Sequence, residues 1–314
     1  MTSRLVLLTT TDLQAGRETE FLRMIDSIRA GTRTDIRVTM FVLLQRSDAA
    51  AGAKYQGILP PGSVILTSPE RVSLSQARNS LLEAALKSGS IDDDCVVAFP
   101  DDDCWYPPRF IDFLVASFRC DGELDMLTCR VSLQPANPPS IGSHVPAAKA
   151  WQVVRRSSSN SMFFRGATVA AVGPFDPAFG LGTANGSGED TDYALRALLK
   201  ARRATFIDLP LVGHRESDLA SVARYYQGAL AVLSRHALER PDFCFEYVRK
   251  LAVGAYLALL SHLTLREYLA AIASSAALMV RSGPKGPRLE PWTQTPSKRP
   301  CPSRRAAIAR RRRA

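Results

Sequence analysis

The segment VVAFPDDDCWYPP, residues 96–108, drives four apolar residues into three consecutive carboxylates and then into a pair of prolines. Four apolar residues ending at Phe99 read as a short buried strand. Pro107-Pro108 reads as the start of the next helix, because proline is pre-organised for a first helical turn. Adjacent like charges repel, so a positive partner is expected among Asp101, Asp102 and Asp103. In an extended backbone successive side chains alternate faces, which puts Asp101 and Asp103 on one side and Asp102 on the other. Two carboxylates turned into one cleft suit a hard divalent cation, Mn2+ or Mg2+, that completes its shell with water and substrate phosphates. A solvated acidic turn ahead of a helix suits the same residues. No G-x-x-x-x-G-K-[ST] occurs, which argues against P-loop chemistry.

Outward from this segment, strand-like and helix-like runs alternate. Residues 4–10 (RLVLLTT) form an apolar run ending in Thr9-Thr10-Thr11, and residues 36–44 form a β-branched one. Residues 63–66 lead into a third strand. Between the first two, residues 18–28 place Phe21, Leu22, Ile25 and Ile28 at helical spacing. Residues 75–86 (SQARNSLLEAAL) predict a helix with Ser75 as its N-cap. After a Pro/Ser-rich excursion over residues 135–147, strands are expected at 160–165 and 204–209, the last closing on His214. This alternation predicts an α/β fold, a Rossmann-type mixed sheet flanked by helices with its ligand site beyond the carboxyl ends of the strands.

A second acidic cluster, Glu189-Asp190-Thr191-Asp192, follows a loop with glycines at 180, 182, 186 and 188 and enters a helix. Carboxylates in a first turn favour the helix macrodipole. Three in four residues exceed that need, and one could act as a general base on a substrate hydroxyl. Arg196 stands one turn beyond Asp192 as an i,i+4 partner. Arg78, in the SQARN run, belongs either to a plain helix start or to an anion site. His214 lies at a strand end, where a sheet opens to ligand; His144, His236 and His262 have no such placement and are given no role.

The formal charge of +10 is concentrated at one end. From Gly283 onward the sequence has ten Lys or Arg against Glu290 alone, so the preceding residues are nearly neutral. No specific nucleic-acid partner is expected of such a body. Six cysteines without C-x-x-C spacing point to free thiols in a reducing compartment. The first residues show no leader pattern, which places the chain on the cytoplasmic side, free or at the inner face of the cell membrane. Beyond His214 three helices are expected, over residues 220–236, 245–263 and 265–280. The apolar stretches 251–263 and 268–280 fall short of the roughly 20 residues a bilayer span needs. They predict a helical hairpin packed on the domain or lying in the membrane interface. The expected organisation is 1–215 as the catalytic domain, 216–282 as a C-terminal helical extension, and 283–314 as a basic disordered tail.

In this order, the SQARN helix start, FPDDDCWYP with its D-x-D, VGPFDPAFGLG, GEDTDYALR and a late strand ending in His resemble the family-2 glycosyltransferases of the GT-A fold, over about residues 4–214. The resemblance implies transfer of a sugar, hexosyl in type, from a nucleotide-diphosphate donor to an acceptor hydroxyl with inversion. It implies a divalent cation, Mn2+ or Mg2+, as cofactor. It places Thr9, Thr10, Thr11, Gln45, Arg78, Asp101 and Asp102 around the donor, with Asp103 and His214 toward the metal. Asp190 would be the general base, with Glu189 beside it. The setting it suggests is bacterial cell-surface polysaccharide or glycoconjugate synthesis, on a saccharide or lipid-linked saccharide acceptor, with peripheral membrane contact. One departure stands out: Gln45 occupies the end of the second strand where the family usually has an acidic residue reading the base, and Asp48 is the nearest substitute. The alternatives are a nucleotidyltransferase or phosphoryl-transfer enzyme using the same acidic strand end, and a non-catalytic nucleic-acid binder acting through the Arg-rich tail.

Overall fold

The computed structural model describes residues 3–141, 146–156, 158–215 and 222–282. The first half lays down β1 (Ser3–Thr11), α1 (Glu18–Gly31), β2 (Ile36–Gln45), α2 (Ala49–Gln56), β3 (Val64–Ser68), α3 (Leu74–Lys87) and β4 (Val96–Ala98). The second half continues with α4 (Phe110–Cys120), β5 (Leu124–Ser132), α5 (Ala150–Arg156), β6 (Met162–Arg165), α6 (Gly166–Val172), α7 (Glu189–Lys200) and β7 (Arg203–Gly213). The strands form one seven-stranded sheet in the order β3-β2-β1-β4-β6-β5-β7, with β6 antiparallel to both neighbours. The mixed α/β sheet expected from the alternation is the one observed.

Strand alternation divides the core. Along β1, Leu5 and Leu7 face one side, where Phe21, Met24, Ile25 and Ile28 of α1 and Phe110 and Leu114 of α4 cover them. Val6 and Leu8 face the other, against Leu81 and Leu82 of α3 and Tyr193 and Leu195 of α7. A fully buried Leu, Ile or Phe contributes about 1.5–3 kcal/mol, so both layers are held mainly by these apolar faces.

Three local expectations are corrected. The N-cap of α3 is Ser73, whose side chain forms a capping box with Gln76, rather than Ser75. The Ser75 hydroxyl instead donates to the carbonyl of Phe179 at 2.6 Å, tying α3 to the glycine-rich loop. The prolines at 107 and 108 do not open α4, which begins at Phe110 behind Arg109 in a left-handed conformation. The last strand is also longer than residues 204–209 and includes Pro210. That is tolerated because β7 is an edge strand.

The chain ends, among the described residues, in α8 (Val222–His236), α9 (Pro241–Leu259) and α10 (Leu265–Ser282). Ala231, Val232 and Leu233 of α8 and Phe243 of α9 join the core layer that holds Tyr193. Glu246, 1% exposed, accepts from Arg155 of α5 and from Arg249, each at 2.9 Å. The helical hairpin is therefore packed on the sheet domain. No helix among the described residues is long and apolar enough to cross a membrane. Five cysteines are free thiols, and Cys301 lies outside the described residues with the tail 283–314 and His144.

Candidate active site

The carboxyl ends of β1, β4 and β7 meet the N-termini of α3 and α7, and the acidic residues converge there. The loop after β4 is clamped to β7 by paired hydrogen bonds between Trp105 and Gly213, at 3.0 and 2.8 Å. The Trp105 ring lies flat against Gly213, where a Cβ would stand only 2.1 Å from a ring atom. Glycine is therefore required at 213, and this close approach sets His214 opposite Asp103. The ligand atoms of Asp101, Asp103 and His214 lie within 4.8 Å of one another. Asp101 and Asp103 thus come together, but through a turn beyond the end of β4, closed by the Cys104 N–H on the Asp101 carbonyl at 3.2 Å, and not through the alternation of an extended strand.

Arginines neutralise much of the expected repulsion. Asp102 accepts from Thr11 at 2.6 Å and from Arg17 at 2.7 Å. Arg17 also stands 3.0 Å from Asp103, and Arg215 2.6 Å from it. His214 Nε2 lies 3.2 Å from the other Asp103 oxygen. Burial acts to raise the Asp103 pKa, but His214 and Arg17 outweigh it and hold the carboxyl well below its usual range. Burial pulls the His214 pKa down, and Asp103 more than restores it, leaving a net rise. Arg23 donates to the Asp103 carbonyl at 2.9 Å and stacks over Trp105.

A second cationic centre joins the two acidic clusters. Arg78, 2% exposed, donates to Asp190 at 2.5 Å and to Asp101 at 3.1 Å, and stands 3.7 Å from Glu189. Asp190 also accepts the backbone N–H of Ser159 at 3.0 Å, while Asn160 donates to Asp101 at 2.9 Å. Asp101 is raised by burial against the pull of Arg78. Glu189 is pushed up to about 7 by burial and the adjacent Asp190 charge, with Arg78 opposing. Asp190 keeps part of its side chain exposed, whereas Glu189 is buried.

The nucleotide-side expectations are placed more loosely. Thr9 is buried, with its hydroxyl lacking a hydrogen-bond partner, and Thr10 donates to Leu43. Gln45 is engaged inside the fold, donating to Thr10 at 2.9 Å and accepting from Val72 at 3.0 Å. Asp48 caps α2 by accepting from Ala51.

Sequence reasoning missed Arg17, Asn160, Arg215 and His236. Arg17 and Asn160 sit in segments with no motif, and only the folded chain brings them to the carboxylates. His236 was assigned no role, yet it bridges Asp192 at 2.8 Å and Glu239 at 2.6 Å, 2% exposed. With the i,i+4 partner Arg196 at 2.8 Å, it fixes Asp192 and so the first turn of α7 from behind. Burial lowers the His236 pKa, but Asp192 and Glu239 raise it to about 9. A histidine held above its ordinary value stabilises the fold fully below about pH 6.5, and that stability is lost as pH rises through about 9. Urea unfolding from pH 6.5 to 9.5 is expected to lose about 2–3 kcal/mol. The His236→Asn variant is expected to show a flatter profile, and an equal slope in both proteins would refute the bridge.

Residues and chemistry both fit a divalent cation. Asp101 and Asp103 offer hard oxygens and His214 an imidazole, a donor set that such an ion takes.

No protein-family model matches the chain, and neither does the sequence of any curated protein. Solved structures do match in fold. S. aureus TarS 1-349 in complex with UDP-GlcNAc superposes with a TM-score of 0.64 at 14% identity, over 88% of this chain and 81% of that one. Against the longer TarS structure, the match spans 54% of that chain, with a TM-score of 0.57 at 12% identity. The mannosyltransferase PcManGT from Pyrobaculum calidifontis, in complex with GDP-Man and Mn2+, matches with a TM-score of 0.53 at 16% identity, over 90% and 87% of the two chains. With its 3-2-1-4-6-5-7 sheet and its acidic loop after the fourth strand, the chain has the GT-A fold.

Proposed function

We propose that the chain is a divalent-cation-dependent, inverting glycosyltransferase that moves a sugar from a nucleotide-diphosphate donor to an acceptor hydroxyl. The observation that carries this reading is the division of the acidic residues. Asp101 and Asp103 face His214 as a cation site, while Asp190 stands apart across Arg78 and partly open to solvent. The nucleotide-sugar complexes of its fold neighbours support the same substrate class.

In this reading Asp103 and His214 would hold the cation and Asp101 would border the donor diphosphate, with Thr9, Thr10, Thr11, Gln45 and Asp102 on the nucleotide side. The bound cation would neutralise the charge that builds on the departing diphosphate. Asp190 takes the proton of the acceptor hydroxyl as its oxygen bonds to the anomeric carbon, and the glycosidic electron pair leaves with the diphosphate. Attack from the side opposite the leaving group inverts that carbon. Arg78 fixes the spacing between donor and base, because one guanidinium holds both Asp101 and Asp190. Buried Glu189 beside Asp190 supports the electrostatics of the base. A hexose donor and an acceptor in bacterial surface polysaccharide or glycoconjugate synthesis, saccharide or lipid-linked, complete the proposal.

Products separate this reading from its neighbour in chemistry. Incubated with a panel of nucleotide sugars and Mn2+, the protein is expected to release nucleoside diphosphate, and to stop doing so when EDTA is added. Release of pyrophosphate would assign nucleotidyl transfer instead, and no turnover of any donor would sink the proposal.

A further inference from the structure

The C-terminal hairpin presents an apolar surface that nothing among the described residues covers. Along α9, Phe245, Val248, Tyr256 and Leu259 are 65, 57, 61 and 83% exposed. At 3.6 residues per turn these positions, with exposed Ala252, fall within one sector of about 80°. No charged residue falls inside it, and Arg249 at its edge is turned to Glu246. The opposite side of α9 is the packed one, carrying Phe243, Glu246 and Gly254. Across the turn, Leu265 and Leu269 of α10 are 64 and 54% exposed and stand on one face with Ala273 and Ala276. Scattered exposed leucines are ordinary, but apolar side chains gathered on one face of each of two successive helices mark a contact surface.

We propose that this face of the α9–α10 hairpin docks on an anionic lipid surface. Two observations select lipid. Neither helix is long and apolar enough to cross a bilayer, so the apolar face would lie along the interface. Immediately beyond α10 the sequence carries ten Lys or Arg against one Glu, a charge complementary to anionic headgroups, each cation near such a surface adding about 1 kcal/mol. A second copy docked on the same stripe would bring two such basic tails together, and their mutual repulsion disfavours that occupant. The stripe and the basic segment that follows it in sequence thus supply two signals, apolar insertion and charge attraction.

Vesicle co-sedimentation of the full chain tests this without reference to catalysis. Binding to vesicles containing about one third anionic phospholipid is expected, with little binding to purely zwitterionic ones. The double variant Leu259→Gln, Leu265→Gln keeps the whole basic tail, and its binding is expected to fall at least tenfold. Both changed side chains are largely exposed, and an unaltered melting temperature would show that the fold is retained. Failure of the parent chain to bind anionic vesicles, or equal binding by the double variant, would overturn the proposal. So would a dimer in light scattering that the same substitutions dissociate, since the stripe would then belong to a second copy. Donor turnover measured without vesicles in both proteins separates a failed lipid surface from a failed assignment of the transferase site.

Discussion

Replacing Asp190 with asparagine is expected to lower sugar transfer by about 10²- to 10⁴-fold, the range that positioned proton acceptors contribute. The substitution keeps the shape that accepts the Ser159 N–H, but an amide cannot take the acceptor's proton. Donor affinity is expected to stay nearly constant, because Asp190 lies across Arg78 from the candidate cation site. The signature is thus a fall in kcat with little change in donor KM. Equal loss of donor binding and thermal stability would mean that Asp190 serves only to neutralise Arg78. Glu189 is not an adequate substitute, since it is buried while Asp190 reaches solvent.

The second large effect is expected at Asp103. It is 2% exposed and gathers Arg17, His214 and Arg215 around one carboxylate. Asp103→Asn removes a candidate ligand and leaves Arg17, His214 and Arg215 without their shared counter-charge. Changes even in the groups that support a metal ligand cost about 10–100-fold in metal affinity, so loss of the ligand itself is expected to lower donor affinity in the presence of Mn2+ at least about 30-fold. Stimulation by Mn2+ should disappear with it. Titration of Mn2+ followed by electron paramagnetic resonance, without any donor, separates a lost metal site from a damaged fold. Unchanged Mn2+ affinity in Asp103→Asn would remove Asp103 from the ligand set.

Much of this site was legible before folding because its chemistry is local. Asp101 and Asp103 were legible as a pair from their spacing, although a turn after β4 and not an extended strand brings them together, and the glycine-rich entry to α7 marked its acidic first turn. The i,i+4 pair of Asp192 and Arg196 follows from helical spacing alone. What the sequence concealed is non-local. The cations that hold the three aspartates come from Arg17 after β1, Arg78 on α3 and Arg215 after β7, and no spacing rule links them. His236 carried no motif because its partner Asp192 lies 44 residues earlier and meets it only when α8 packs behind α7. The α3 cap was misplaced by two residues because Ser73 and Ser75 both offer a hydroxyl. Only the fold shows that Ser75 is turned to Phe179. Gln45 fills the strand-end position with hydrogen bonds of its own to Thr10 and Val72, which accounts for how an amide stands at that point in the sheet.

The central claim is that the carboxylates after β4 hold the donor's diphosphate through a divalent cation. Diffraction at the manganese absorption edge, from crystals grown with Mn2+ and a nucleoside diphosphate, tests it most directly. The expected result is one anomalous peak bonded to Asp103 and His214, with the diphosphate on the same ion and Asp190 free of it. A nucleotide bound with no metal beside it, or a manganese peak away from Asp103, would contradict the account.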